Sequence, residues 1–238
     1  MNIRTWRNNE KRASFLQRTA KEIRTYKMQK RLLLTVVAML LTLTVILYTI
    51  AALYKKEGSF TVSLDKHDRL EYGLTLCDTK GMERPTSQLS AQIAEHMTNI
   101  SGEDIPETVG RVDGEHNGDN YIAFTFYVQN GGETEFNYEY DVIMKNVTND
   151  LDKAIRLRFY VDDVPTTYAY VASDGNPEPG TEKFHSNNIM VHGRRDDFTP
   201  GSQTKYTIVL WIEGNDPECT DKLIGGAIKI DMEISVAH

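Results

Sequence analysis

The stretch IKIDMEISV, residues 228–236, puts Ile228, Ile230, Met232, Ile234 and Val236 on one face and Lys229, Asp231, Glu233 and Ser235 on the other. Successive side chains of an extended chain point to opposite sides, so this strict alternation reads as a strand with one face buried and one wet. The same period recurs upstream. Tyr206, Ile208, Leu210 and Ile212 alternate with Thr207, Val209 and Trp211, and Ile155, Leu157, Phe159 and Val161 with Arg156, Arg158 and Tyr160. Phe136, Tyr138, Tyr140, Val142 and Met144 share one face of a further strand, opposite Asn137, Glu139, Asp141 and Lys145. Tyr121–Val128 (YIAFTFYV) is apolar on both faces, as expected of a strand covered on two sides.

Weaker strands are predicted at Ser59–Leu64, Leu70–Leu76 (ending at Cys77), Thr166–Val171 and Ile189–Val191. Pro85 followed by Thr86 or Ser87 offers a helix start, and Leu89, Ile93 and Met97 recur four apart, predicting one short helix. Residues 101–120, rich in Gly, Asp and Glu, and the Pro/Gly-rich 173–180 read as loops. Seven to nine strands with turn-rich joints predict a mainly β fold, an antiparallel β-sandwich of jelly-roll type.

Ahead of the sandwich, Leu32–Tyr54 (LLLTVVAMLLTLTVILYTIAALY) contains no charge, Gly or Pro. At about 1.5 Å per residue it reaches roughly 35 Å, enough for a ~30 Å hydrocarbon core with some tilt. Thr35, Thr42, Thr44 and Thr49 are expected to return their hydroxyls to helix carbonyls. The chain divides into a basic segment 1–31, a transmembrane helix 32–54 and a β-sandwich domain 55–238. Residues 1–31 hold ten Lys/Arg against Glu10 and Glu22, whereas only Lys55 and Lys56 follow the span directly. The positive-inside rule places the N-terminus in the cytoplasm and the C-terminal domain outside the cell membrane, crossed once. The apolar run is longer than a cleavable signal's core, which favours a retained signal anchor. The small residues Thr49, Ala51 and Ala52 offer the alternative, a cleavage site.

Residues 57–238 carry 15 Lys/Arg against 32 Asp/Glu, a net −17. So acidic a domain repels nucleic acid and anionic lipid, which excludes both as partners beyond the span itself. No HExxH, GxSxG, P-loop or CxxC occurs, and no enzymatic activity is expected. Asp113, Glu115, Asn117 and Asp119 supply oxygens at positions 1, 3, 5 and 7 of a pattern with Gly118 at position 6, the first half of a calcium loop. The acid of position 12 is replaced by Phe124, so calcium is the only cofactor considered and an acidic turn explains the same letters. Cys77 and Cys219, both placed outside, are a disulfide candidate that the compartment permits. Phe60, Val62 and Leu64 of the strand just after the span mark an assembly candidate. That strand has no tight turn to a partner, and an exposed edge pairs with another chain.

The segments GSFTVSL (58–64), NYIAFTFYVQN (120–130), DKAIRLRFY (152–160) and YTIVLWIEGNDPECTDKLIGG (206–226) resemble uncharacterised Gram-positive membrane-anchored surface proteins. Their layout is similar to the camelysin/TasA biofilm-matrix family: a hydrophobic export segment, an immediate short strand, then a sandwich. That resemblance implies a cell-surface or matrix-assembly component that self-associates or binds other surface proteins. The family label also implies metallopeptidase activity in some members, for which this chain has no zinc motif. The alternative class is an extracellular sensing module for a ligand or calcium, disfavoured because 31 residues leave no room for a cytoplasmic output domain.

Overall fold

The structure, a computed structural model, describes residues 3–54, 59–92 and 97–237, which form two units, residues 1–55 and 56–238. The first is a single α-helix, α1 (Ile3–Tyr54). Its stretch Glu22–Thr49 is long and apolar enough to cross a membrane, and its side chains are exposed throughout. The four threonines behave as expected. Thr35, Thr42, Thr44 and Thr49 donate to the carbonyls of Leu32, Met39, Leu41 and Ile46 at 2.7–2.8 Å, so each of these hydroxyls is satisfied within the helix.

The second unit is a two-sheet β-sandwich. In chain order it comprises β1 (Ser59–Leu64), helix α2 (Lys66–Tyr72), β2 (Leu74–Cys77), β3 (Gln88–Gln92), β4 (Gly114–Glu115), β5 (Tyr121–Asn130) and β6 (Phe136–Val147). It continues with β7 (Ile155–Val161), β8 (Val164–Ala169), β9 (Glu182–Lys183), β10 (Ile189–Phe198), β11 (Gln203–Ile212) and β12 (Ile228–Val236). One sheet runs β10-β6-β12-β1-β3 and the other β2-β5-β11-β7-β8-β9, with β4 beside β5. Every alternating face read from the sequence points into the space between them. Phe60, Val62, Tyr138, Val142, Ile230 and Met232 meet Leu76, Phe126, Leu157, Phe159, Tyr206 and Ile208 there.

Two local readings are corrected. The predicted helix at Leu89–Met97 is instead strand β3 where the chain is described, with Ile93 to His96 outside the described residues. Leu89 and Ala91 lie opposite Val62 and Phe60 of β1. A four-residue spacing is even, so it satisfies period two as well as a helical turn, and pairing with β1 decides. The short helix lies earlier, at α2, inside the predicted strand Leu70–Leu76. Asp65 caps it by accepting from the amides of His67 and Asp68, and Gly73 ends it at φ 70°. That glycine crosses the β5–β6 turn so closely that a Cβ on Gly132 would lie 2.3 Å from the Tyr72 carbonyl oxygen.

The sandwich is not purely antiparallel. β1 lies parallel to β12 and antiparallel to β3, and β8 is parallel to β9. Part of the stretch 101–120, read as loop, folds across the outer face of the second sheet. Ile105 and Val109 cover Ala123, Tyr160, Val209 and Trp211, which explains why β5 is apolar on both faces.

Candidate functional site

Three groupings of polar side chains stand out on the sandwich. The first is a cleft of about 470 Å³ on the outer face of the second sheet, lined by Lys80, Arg111, Asp113, Tyr127, Asp162, Asp163, Gln203 and Lys205. Asp162 and Asp163 form the two-residue β7–β8 turn, both at positive φ (48° and 68°), as a tight hairpin of this hand requires. Lys205 Nζ donates to Asp163 Oδ1 at 2.7 Å and to the Gly110 carbonyl at 2.6 Å, and Arg195 pairs with Asp162 at 2.9 Å. The Tyr127 hydroxyl donates to Asp113 Oδ1 at 2.6 Å. Burial and that carboxylate push the Tyr127 phenol well above its usual range, so it stays a donor. Within the cleft Lys205 is spent on Asp163 and Tyr127 on Asp113, and through the Gly110 carbonyl Lys205 also ties down the segment that crosses this face.

The second grouping is buried. Arg156, 4% exposed on the outer face of β7, pairs with Asp216 and, at 3.4 Å, with Glu178. Glu218 joins through its amide, which donates to Asp216 Oδ1 at 2.8 Å. The neighbouring Asp216 carboxylate pushes the Glu218 carboxyl up. The ligand oxygens of Glu178, Asp216 and Glu218 lie within 4.8 Å of one another. With the guanidinium among them, the arrangement reads as a structural clamp that ties the loops after β8 and β11 to β7. Sequence reasoning put Arg156 on an outward face without foreseeing its burial. Two acids in loops 22 and 60 residues downstream give no spacing signal.

The third is a histidine pair at the tight turn that leads from β9 into β10. The rings of His185 and His192 lie 5.0 Å apart between centroids, and His192 Nδ1 is 2.8 Å from Asp141 Oδ1.

The residues singled out in the sequence fall elsewhere. Asp113 faces Tyr127 and the Lys80 amide, Glu115 accepts from the Asn117 side chain, and Asn117 Oδ1 accepts from the Ala123 amide. The backbone there is a hairpin, with His116 and Gly118 amides donating to the Ala123 and Tyr121 carbonyls. The carboxylates of Asp113, Glu115 and Asp119 therefore do not gather as a calcium loop would gather them. His116 adds a staple, its ring nitrogens lying 2.8 and 2.7 Å from the carbonyls of Gly114 and Val109.

Cys77 and Cys219 are both free, and the candidate disulfide is not made. Cys77 is opposite Tyr127 of β5, whereas Cys219 lies beside Asn99, near the end where Tyr121 pairs Trp211. Six residues of strand, about 20 Å, separate the two levels. Phe60, Val62 and Leu64 are buried, and β1 is paired on both sides rather than exposed as an edge. Searches against protein families, curated proteins and solved structures return no match to this chain.

Proposed function

We propose that this protein is a membrane-anchored, extracellular structural or interaction protein, a cell-surface or matrix-assembly component of the camelysin/TasA kind. The observation that carries the reading is the pairing of an apolar helix, exposed along Glu22–Thr49, with a sandwich whose interior is filled by its own side chains. A filled sandwich presents surfaces and edges rather than a ligand chamber, and a single anchor fixes where they are presented. The charge step across the helix supports an outside domain. Protease added to intact cells is expected to digest epitopes in 57–238 and to spare those in 1–31; the reverse pattern ends the reading.

Within this reading, assembly runs through a free sheet edge. β10 is blunted by two breaks in its register with β6, by Arg194–Asp197, and by Asp197 at φ 54°. β3 carries no charge and no proline over Gln88–Gln92, and its second edge has no strand partner among the described residues. Ser90→Lys on its exposed face is therefore expected to convert assemblies of the full chain in detergent to monomers, read by mass photometry. A wild-type protein that is monomeric at all concentrations, both in detergent and after cross-linking on cells, would exclude self-assembly.

A further inference from the structure

We infer that His185 and His192, with Asp141 behind them, form a surface site for a divalent transition cation of the Zn²⁺/Cu²⁺ class. Both histidines sit on backbone that the core holds still. His185 follows the buried Phe184, and His192 follows the buried Met190 and Val191. Between them the turn is tight, with the His185 amide donating to the Met190 carbonyl and the Ser186 amide to that of Ile189. The Asn188 carbonyl accepts from the Met144 amide at 2.8 Å and ties the turn to β6.

The chemistry of the pair is that of ligands. His192 lies directly across from Asp141 in the β10–β6 register, and its Nδ1 meets that carboxylate at 2.8 Å. With the proton on Nδ1, the lone pair of Nε2 is left for a metal, the arrangement that orients imidazole ligands in metal centres generally. Among the described residues, neither ring nitrogen of His185 nor Nε2 of His192 has a hydrogen-bond partner.

The separation also fits. With a metal–nitrogen bond of about 2.0 Å, each ring centre lies roughly 3.1 Å from the ion, so angles between about 90° and 110° place two centres roughly 4.4–5.1 Å apart. The observed 5.0 Å falls inside that interval, and the 38° tilt between the rings is not that of a parallel stack. Nearby cations are already engaged: Arg194 with Glu139 and Asp196, and Lys145 with Glu233. Imidazole nitrogens select Zn²⁺ and Cu²⁺ over Ca²⁺ and Mg²⁺, which prefer oxygen. Water or a group on a second molecule completes the coordination.

The test uses the untagged full chain in detergent micelles, titrated with Zn²⁺ by calorimetry and with Cu²⁺ by electron paramagnetic resonance. One ion per chain is expected, with hyperfine coupling to two imidazole nitrogens. His185→Ala or His192→Ala should each weaken binding at least tenfold, and both are exposed enough to leave the fold intact. Asp141→Asn should keep the stoichiometry and weaken affinity by about 10- to 100-fold, the usual effect of losing a carboxylate behind a ligand. His67→Ala, which removes the other histidine–carboxylate pair on an exposed surface, should change nothing. Binding that survives the His185→Ala/His192→Ala double variant, or no binding up to millimolar Zn²⁺ and Cu²⁺, overturns the inference.

Discussion

Replacing Arg156 with alanine is expected to destabilise the sandwich by about 3–5 kcal/mol, the range for removing one partner of a buried ion pair. The cost arises less from the lost attraction than from what stays behind. Asp216 is 5% and Glu178 9% exposed, and without the guanidinium both carboxylates remain desolvated and opposed, with Glu218 beside them. The denaturation midpoint of the full chain in detergent, followed by tryptophan fluorescence from Trp211, reads the change. Two controls separate clamp from packing. Lys145→Ala breaks a half-exposed pair with Glu233 and should cost under about 1 kcal/mol. Arg156→Met with Asp216→Leu and Glu178→Leu removes the guanidinium and both carboxylates it pairs with, and should recover much of the loss, because apolar groups of similar volume need no partner. An Arg156→Ala midpoint within about 1 kcal/mol of wild type would show that water already reaches the clamp, and the two loops would then need another anchor.

That clamp also marks where the sequence stopped being informative. Alternation shows which face of β7 Arg156 occupies, but burial of the outer face depends on loops 170–181 and 213–227, whose conformations no period encodes. The same holds for Ile105 and Val109. They sit in a stretch whose Gly, Asp and Glu content reads as loop, yet they fold over Trp211 and Tyr160 as a second small core. Strand positions with strict alternation, such as Ile228–Val236 and Ile155–Val161, could be read directly, because one side of each strand had to be apolar. The apolar helix was equally legible, since twenty-odd uncharged residues without Gly or Pro suit a helix long and apolar enough to cross a membrane.

Local pattern misleads where two signals overlap. Leu89, Ile93 and Met97 satisfy both periods, and only the antiparallel partner β1 separates them. α2 is bracketed by the ordinary capping residues Asp65 and Gly73, but the apolar content of Leu70–Leu76 reads as a strand. The parallel pairing of β1 with β12 joins the two ends of the domain across some 170 residues, and no local pattern announces it. Likewise, His185 and His192 are seven apart in sequence and meet only because a tight turn folds one beside the other.

Alkaline pH should unfold the sandwich cooperatively, through tyrosines in its centre. Tyr138 and Tyr206 are fully buried and share a 2.8 Å hydrogen bond between hydroxyls, and the Tyr140 ring lies 5.2 Å from that of Tyr206. Burial, the largest cause for each, raises the Tyr138 phenol, pushes Tyr140 up to about 12 and holds Tyr206 well above its ordinary value. In the unfolded chain these groups ionise near pH 10. Below that pH both states hold the protons and stability is indifferent to these groups. Above it the unfolded chain releases protons that the folded chain retains, so stability falls as pH rises. Each phenol contributes at most about 1.4 kcal/mol per pH unit, and three together about 4 kcal/mol per unit. Against a total of roughly 5–15 kcal/mol, two to three units suffice to unfold a domain of this kind. Phenolate absorbance near 295 nm, recorded with circular dichroism from pH 9 to 12.5, reads both events. The buried set should ionise in one step coincident with loss of β signal, and Tyr206→Phe should make the pH dependence shallower by about a fifth, because Tyr127 and Tyr168, also held above their ordinary values, share the slope. A gradual titration centred near pH 10 for all tyrosines, with the β signal intact, would show that solvent reaches the Tyr138–Tyr206 pair.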